Sequence, residues 1–155
     1  MERTIIYCLI IIFSGTVVPK HSSPIRRQTR IVQLLQIVEQ LKTCVNDTDP
    51  AFLPTPENVE KHCEESAIKC FQAAPLTPSN NEEKKMRFDI LVKQLRRKLP
   101  WREDKKSKPK CPPCDSFKEK PPQEFLDSLR SLLQKMISYD QHPHPHHHHC
   151  RGHCT

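Results

Sequence analysis

Apolar residues recur at helical spacing in four stretches of the chain, and polar residues fill the positions between them. Residues three, four or seven positions apart lie on one face of an α-helix, so each stretch predicts an amphipathic helix. The first stretch runs from about Ile25 to Val45. Its apolar stripe consists of Ile31, Leu34, Val38, Leu41 and Val45. Ile37 lies on a second, mostly polar face with Gln33 and Gln40, and we interpret it as either an edge of the core or a contact residue.

The second and third stretches predict two further helices. The second begins at Thr55-Pro56-Glu57, where a hydroxyl cap precedes a proline suited to the first helical position, and it ends before Pro75. Its inner face comprises Val59, Cys63, Ala67 and Cys70. The third covers residues 83–98, with a buried side made of Phe88, Leu91, Val92, Leu95 and Leu99. Its basic residues form either a solvated face or a binding surface: Lys93, Arg96, Arg97 and Lys98.

The fourth stretch begins near Pro121 or Pro122 and runs to about Tyr139. Its core stripe consists of Phe125, Leu129, Leu132, Leu133 and Met136. Ile137 falls about a quarter turn off this stripe, on the side of Gln134. We interpret Ile137 as either a binding position or a peripheral part of the core.

These four helices predict one all-α domain over residues 24–140. Amphipathic helices bury their apolar stripes by packing together into a bundle. The connection between the third and fourth helices spans residues 100–120, and a link of this length suits a four-helix up-up-down-down bundle. The chain has only two glycines and few β-branched alternations, which argues against a sandwich or barrel.

Residues 1–23 have the pattern of a cleavable signal peptide. Charged residues 2 and 3 precede an apolar run from Ile5 to Phe13, and small or polar residues then extend to Ser23. A membrane-spanning helix needs about 20 apolar residues, more than this run provides. We therefore expect cleavage between Gly15 and Ser23 and a secreted, soluble product.

Four cysteines predict structural disulfides with matched spacing. Cys63 and Cys70 lie two helical turns apart, at roughly 10 Å, on one face. Cys111 and Cys114 flank two prolines, whose extended geometry gives a separation of roughly 9 Å. The two pairs can bridge in parallel, although the sequence does not fix the connectivity. A redox C-x-x-C motif and half of a zinc site are the alternatives; no strand pattern accompanies the first, and the spacing of Cys63 and Cys70 does not suit the second.

The formal net charge of +7 favours acidic partners. A secreted basic protein meets acidic receptors or sulfated glycans more often than nucleic acid, and we expect no nucleic-acid partner. Lysines of the long loop either bind heparan sulfate or serve solubility: Lys105, Lys106, Lys108 and Lys110. The helices carry no converging nucleophile and base, so we expect no enzymatic activity and no cofactor.

Two features concern modification and metal binding. Asn46-Asp47-Thr48 is an N-glycosylation sequon at the end of the first helix. Residues 141–155 form a His- and Cys-rich tail, whose composition suits Zn²⁺ or Cu²⁺; the alternative is a disordered tail with Cys150 and Cys154 bridged. With the basic charge, this tail gives an alternative function, that of a secreted metal-binding or antimicrobial protein.

Several short segments carry a resemblance to a known family. They are residues 40–42, 45–47, 52–54, 70–72, 111–116, 120–122 and 131–137, together with Cys63. They resemble the short-chain four-helix cytokines related to interleukin-2 and interleukin-15, and the resemblance extends from the signal to about Ile137. It implies a secreted, monomeric ligand that clusters a private receptor with the common cytokine receptor gamma chain and starts JAK–STAT signalling in lymphocytes.

The resemblance also implies roles for individual residues. Those that would face the private receptor are Arg30, Gln33, Gln36, Ile37, Gln40, Lys93, Arg96, Arg97 and Lys98. Gln134 and Ile137 would face the gamma chain. The family's disulfides imply the parallel pairing, Cys63 with Cys111 and Cys70 with Cys114. Cys44 stands where the family has an aromatic residue, and it adds a thiol.

Overall fold

The computed structural model describes residues 24–48, 51–101 and 110–141, and this part of the chain is mostly helical. Its helices are α1 (Pro24–Lys42), α2 (Glu64–Ala73), α3 (Glu82–Leu95) and α4 (Pro122–Gln141). Two short strands, β1 (Leu53–Pro54) and β2 (Glu119–Lys120), pair antiparallel, and 3₁₀ turns cover Lys61–Cys63 and Cys114–Ser116. The expected signal segment, the His-rich tail from residue 142 and three of the loop lysines (Lys105, Lys106 and Lys108) lie outside the described residues.

Helix α1 buries the whole apolar stripe that its spacing predicts: Ile31, Leu34, Val38, Leu41 and Val45. The helix itself ends at Lys42, short of the expected end. A tight turn follows, in which the hydroxyl and the backbone N–H of Thr43 both donate to the Gln40 carbonyl, at 2.7 and 3.1 Å. Residues 44–46 then hydrogen-bond to residues 77–79, so the chain leaves α1 as an extended segment pinned to the start of α3.

The second helix begins later than its N-terminal signal predicts, and the prediction of a Thr55 cap is wrong. The Thr55 hydroxyl donates to the Leu53 carbonyl at 2.8 Å, and its backbone N–H donates to the Lys118 carbonyl at 3.0 Å. Asn58 has a φ of 52°, in the left-handed region that interrupts a right-handed helix. Pairing with the β2 segment therefore replaces the first turns expected for this helix, and α2 starts only at Glu64.

Helices α3 and α4 bury their predicted sides, with Val92 only partly covered. The same core includes three side chains that the spacing did not single out: Ile68, Phe71 and Leu126. The Phe71 and Phe125 rings lie 5.0 Å apart with an interplanar angle of 58°, a tilted arrangement favoured for aromatic pairs. One continuous apolar core therefore joins all four helices.

Contacts at the helix ends fix the direction of packing. Lys42, at the end of α1, pairs with Asp127 near the start of α4 at 2.5 Å, whereas Arg27, at the start of α1, faces Asp140 near the end of α4 at 3.8 Å. Arg30 likewise reaches the end of α3. Helix α1 therefore runs antiparallel to both α3 and α4. Within the described residues, none of the helices is long and apolar enough to span a bilayer.

Two disulfides join α2 and its preceding turn to the segment that leads into β2. Cys63 bonds to Cys111 and Cys70 bonds to Cys114, with Cα–Cα distances of 5.6 and 5.4 Å. This is the parallel pairing that the matched spacing allowed and the resemblance implied. The bonds span sequence separations of 48 and 44 residues. Closing one loop of this size stabilises a fold by about 4 kcal/mol on the chain-entropy account, and the second bond adds less because the two loops overlap.

Candidate functional site

The C-terminal end of α3 carries a concentrated positive charge. Lys93, Arg96, Arg97 and Lys98 are all exposed. Helix C-termini carry partial negative charge, so cations at this end are favourable without a partner. The cluster nevertheless leaves four basic side chains exposed to solvent, in the last turn of α3 and just beyond its end. We call these four residues the basic cluster.

Exposed apolar side chains continue the same side of α3. Met86 is 71% exposed and Ile90 is 58% exposed. Successive offsets of four and three residues place Met86, Ile90 and Lys93 along one face of α3, and Arg97 follows just beyond the end of this helix. Helical spacing predicted the buried stripe through Phe88, but it did not single out Met86 and Ile90. These two form a second apolar pair, four residues apart, outside that stripe. The α3 surface therefore combines apolar area with positive charge.

Helix α1 adds a polar surface beside α3. Gln33, Gln36 and Gln40 are exposed, as a surface role requires. Ile37 is only 5% exposed and belongs to the hydrophobic core, which matches the first of its two interpretations. Exposed apolar area on α1 comes instead from Ile25 and from Val32, which lies four residues before Gln36 on the outward face.

Arg30 is held by α3 rather than free on the surface. Its Nη2 donates to the carbonyls of Gln94 at 2.6 Å and Arg97 at 3.3 Å. Partial burial, and then the neighbouring Arg97 charge, lower the pKa of the Arg30 guanidinium from its ordinary value. The Arg30 side chain is therefore hydrogen-bonded to the backbone beside and within the basic cluster. We define the α1–α3 surface as the exposed side chains of α1 and α3 described so far: Met86, Ile90, the basic cluster, Gln33, Gln36 and Gln40.

A second exposed area lies where α4 meets α1. Gln134 is exposed, and Ile137 is partly buried against the core. Arg130, which shares the Ile137 face one heptad earlier, donates to Glu39 of α1 at 3.0 Å. That hydrogen bond, and then the Asp127 charge, raise the pKa of Arg130. Gln134 and Ile137 therefore border the α1–α4 seam, and we call this the α4 surface.

The two surfaces lie on different sides of α1. One side of α1 contacts α3 through Arg30, and the other contacts α4 through Glu39 and Lys42. A partner on the basic cluster and a partner on Gln134 would therefore approach from different directions. The shared hydrophobic core packs the three helices against one another.

Among the described residues, the one cluster of possible metal ligands includes two cysteines that are bonded to each other. His62, Cys63 and Cys111 have ligand atoms within 4.8 Å of one another, but both cysteines are consumed in a disulfide and offer no thiolate. Cys44 is a free, buried thiol 3.6 Å from the Thr43 hydroxyl, and it belongs to neither surface. The thiol that Cys44 adds is therefore inside the core.

The sequon has an ordered local geometry. The Asn46 side-chain oxygen accepts hydrogen bonds from the backbone N–H and the hydroxyl of Thr48, at 3.0 and 2.8 Å. This is an Asx turn at the end of the bundle, beside the segment that pairs with residues 77–79.

No protein-family model matches the chain. The interpretation of the two surfaces therefore depends on the residues themselves.

Proposed function

We propose that the protein is a secreted cytokine of the interleukin-21 type. It bridges a private interleukin-21-type receptor and the common cytokine receptor gamma chain, and so starts JAK–STAT signalling. The observation that carries this proposal is the pair of exposed surfaces on different sides of one cross-linked helical body. The antiparallel packing of α1 against α3 and α4 supports the up-up-down-down topology expected for such a ligand.

The α1–α3 surface takes the private receptor. Its positive charge suits an acidic receptor face, since complementary charge speeds the encounter between proteins. Exposed Met86 and Ile90 supply apolar area that becomes buried on contact. Hot spots in interfaces combine such desolvated anchors with a polar surround, here supplied by Gln33, Gln36 and Gln40.

The α4 surface takes the gamma chain. Ile137 offers a partly exposed apolar side chain beside the exposed amide of Gln134, and both stand on a rigid helix. This surface carries less concentrated charge than α3 does, so we expect its binding to depend on packing more than on steering. Because charge steering acts on the α1–α3 surface, we expect the private receptor to bind first and the gamma chain to join the complex afterwards.

Signalling in cells that carry one or both receptors tests this function. STAT phosphorylation should require both receptor chains, and cells with either chain alone should stay silent. Removing residues 142–155, which leaves α4 intact at Gln141, should preserve the signal. Activity that disappears with this tail but needs neither receptor would instead favour the metal-binding or antimicrobial alternative.

A further inference from the structure

Two side chains from different helices hold the C-terminal carbonyls of α3. Arg30 Nη2, from α1, donates to Gln94 O at 2.6 Å and Arg97 O at 3.3 Å. Gln72 Nε2, from α2, donates to Leu95 O at 2.9 Å and Arg97 O at 3.0 Å. We call Arg30 and Gln72 the carbonyl clamp. The Arg97 carbonyl is shared by both donors, so the clamp is one connected unit.

The clamp solves a problem that this helix end creates. The last carbonyls of a helix have no partner within the helix. The basic cluster crowds positive charge around the same residues, and like charges at close range favour a frayed end. Donors from α1 and α2 satisfy the carbonyls and tie them to two other helices. In return, Arg96 Nε donates to the Gln72 carbonyl at 3.3 Å, which fixes one member of the cluster itself.

The second half of the clamp is anchored covalently. Gln72 lies two residues after Cys70, whose sulfur is bonded to Cys114. Helix α2 is a single ten-residue element, too short to hold its position by helix propensity alone. The disulfide fixes α2, α2 fixes Gln72, and Gln72 fixes the end of α3. The Cys70–Cys114 cross-link thereby sets the geometry of the charges at the end of α3.

We propose that Arg30 and Gln72 are positioning residues, which act on receptor binding through the basic cluster. The clamp itself is independent of any partner, whereas its effect on affinity rests on the proposed function. Pre-organised groups bind more tightly because less conformational freedom is lost on association. Arg30 therefore contributes by holding Arg97, in addition to any charge that it presents.

Two replacements that keep the net charge test the clamp: Arg30→Lys and Gln72→Ala. A lysine keeps the charge of Arg30 but lacks the planar fork that spans two carbonyls. Each replacement removes side-chain donors from the Gln94, Leu95 or Arg97 carbonyls, so the end of α3 should fray more often. Hydrogen exchange at the Arg96 and Arg97 amides should therefore speed up by about tenfold. Each replacement should also weaken private-receptor binding by about tenfold and leave gamma-chain recruitment by the bound complex unchanged. Arg26→Lys, at an exposed position of α1, is the matched control.

The two readouts separate the possible outcomes. Coupling in the double variant, whose effect on exchange should be less than the sum of the single effects, supports a shared clamp. Unchanged exchange at Arg96 and Arg97 in both single variants overturns the proposal. Weaker binding by Arg30→Lys with unchanged exchange also overturns it, because Arg30 would then be a direct contact. A wild-type protein that binds no private receptor defeats the proposed function, and the exchange measurement still decides whether the clamp exists.

Discussion

Three charged side chains meet inside the protein where α1, α2 and α4 come together. Arg27 Nη2 lies 3.6 Å from Glu64 Oε2, and Arg27 Nε lies 3.8 Å from Asp140 Oδ2. The Trp101 ring covers the Arg27 guanidinium, with 5.6 Å from Cζ to its centroid. Glu64 is buried, and its Oε1 accepts no hydrogen bond from the described residues. A buried carboxylate with loose ion pairs costs stability unless it is protonated.

The pKa of Glu64 gives this cost a measurable pH dependence. Burial raises the pKa above its ordinary value of 4.5, and the opposing charges of Arg27, Lys61 and Lys135 only partly offset that effect. A group whose pKa is raised by folding stabilises the fold below its unfolded pKa, and it loses that contribution as the pH rises through the folded value. The negative charge of Asp140 acts in the same direction as burial.

We therefore predict that Glu64→Gln gains stability relative to the wild type as the pH rises. The difference in free energy of unfolding should be smallest below pH 4.5 and should grow until Glu64 is fully ionised. Denaturant unfolding at several pH values measures it, and Glu124→Gln, at an exposed site on α4, is the control. A difference that stays constant across this range would show that the ion pairs cancel the effect of burial, and one that falls as the pH rises would show that they outweigh it.

The α4 surface makes a second prediction at this scale. Gln134→Asp combined with Ile137→Asp should keep the fold and private-receptor binding but abolish signalling. Ile137 is only partly buried, so the free energy of unfolding should fall by no more than about 2 kcal/mol, and circular dichroism should barely change. Assays of binding and STAT phosphorylation on one preparation measure both effects.

A matched pair of aspartates controls for the added charge. Ser128→Asp with Ser131→Asp adds the same charge on the side of α4 that borders residues 56–59. That variant should signal normally. If the Gln134 and Ile137 variant loses its helical signal, those positions belong to the core and the site assignment fails.

At the level of elements, helical periodicity predicted the buried faces of helices, because these depend on spacing within one segment of the chain. The stripes of α1 and α4 are long, regular and fully buried, so spacing alone identified them. The start of α2 was missed because the β1–β2 pairing, a contact between residues far apart in sequence, overrides a good local cap at Thr55. The carbonyl clamp was equally invisible, since Arg30 and Gln94 are 64 residues apart. Met86 and Ile90 were in principle detectable as an apolar pair off the core stripe.

Helix α2 provides a prediction about the cross-links. Cys70→Ala with Cys114→Ala should lower the free energy of unfolding by about 2–4 kcal/mol, because the unfolded chain regains the freedom of a closed loop. Thermal or denaturant unfolding measures this loss. Cys44→Ala, which removes a buried thiol but no cross-link, should cost only about 1 kcal/mol. Equal losses in the two variants would mean that the disulfide adds nothing beyond packing.

For the molecule as a whole, the described residues form one helical body with two surfaces of different character. The α1–α3 surface is basic and partly apolar, and the α4 surface centres on Ile137 and Gln134. Binding two partners at once requires that neither partner covers the other's surface. The position of α1 between α3 and α4 meets this requirement, because its contacts with them lie on different sides.

Assembly of the complex from purified parts tests this central claim most directly. The protein is captured on an immobilised private-receptor ectodomain, and the gamma-chain ectodomain is then added while binding is followed. We predict that the immobilised private receptor retains the protein. The gamma chain should bind only where the protein has been captured, and the three chains should assemble in equal numbers. A private receptor that fails to retain the protein, or a gamma chain that competes with it for the same surface, would contradict the account.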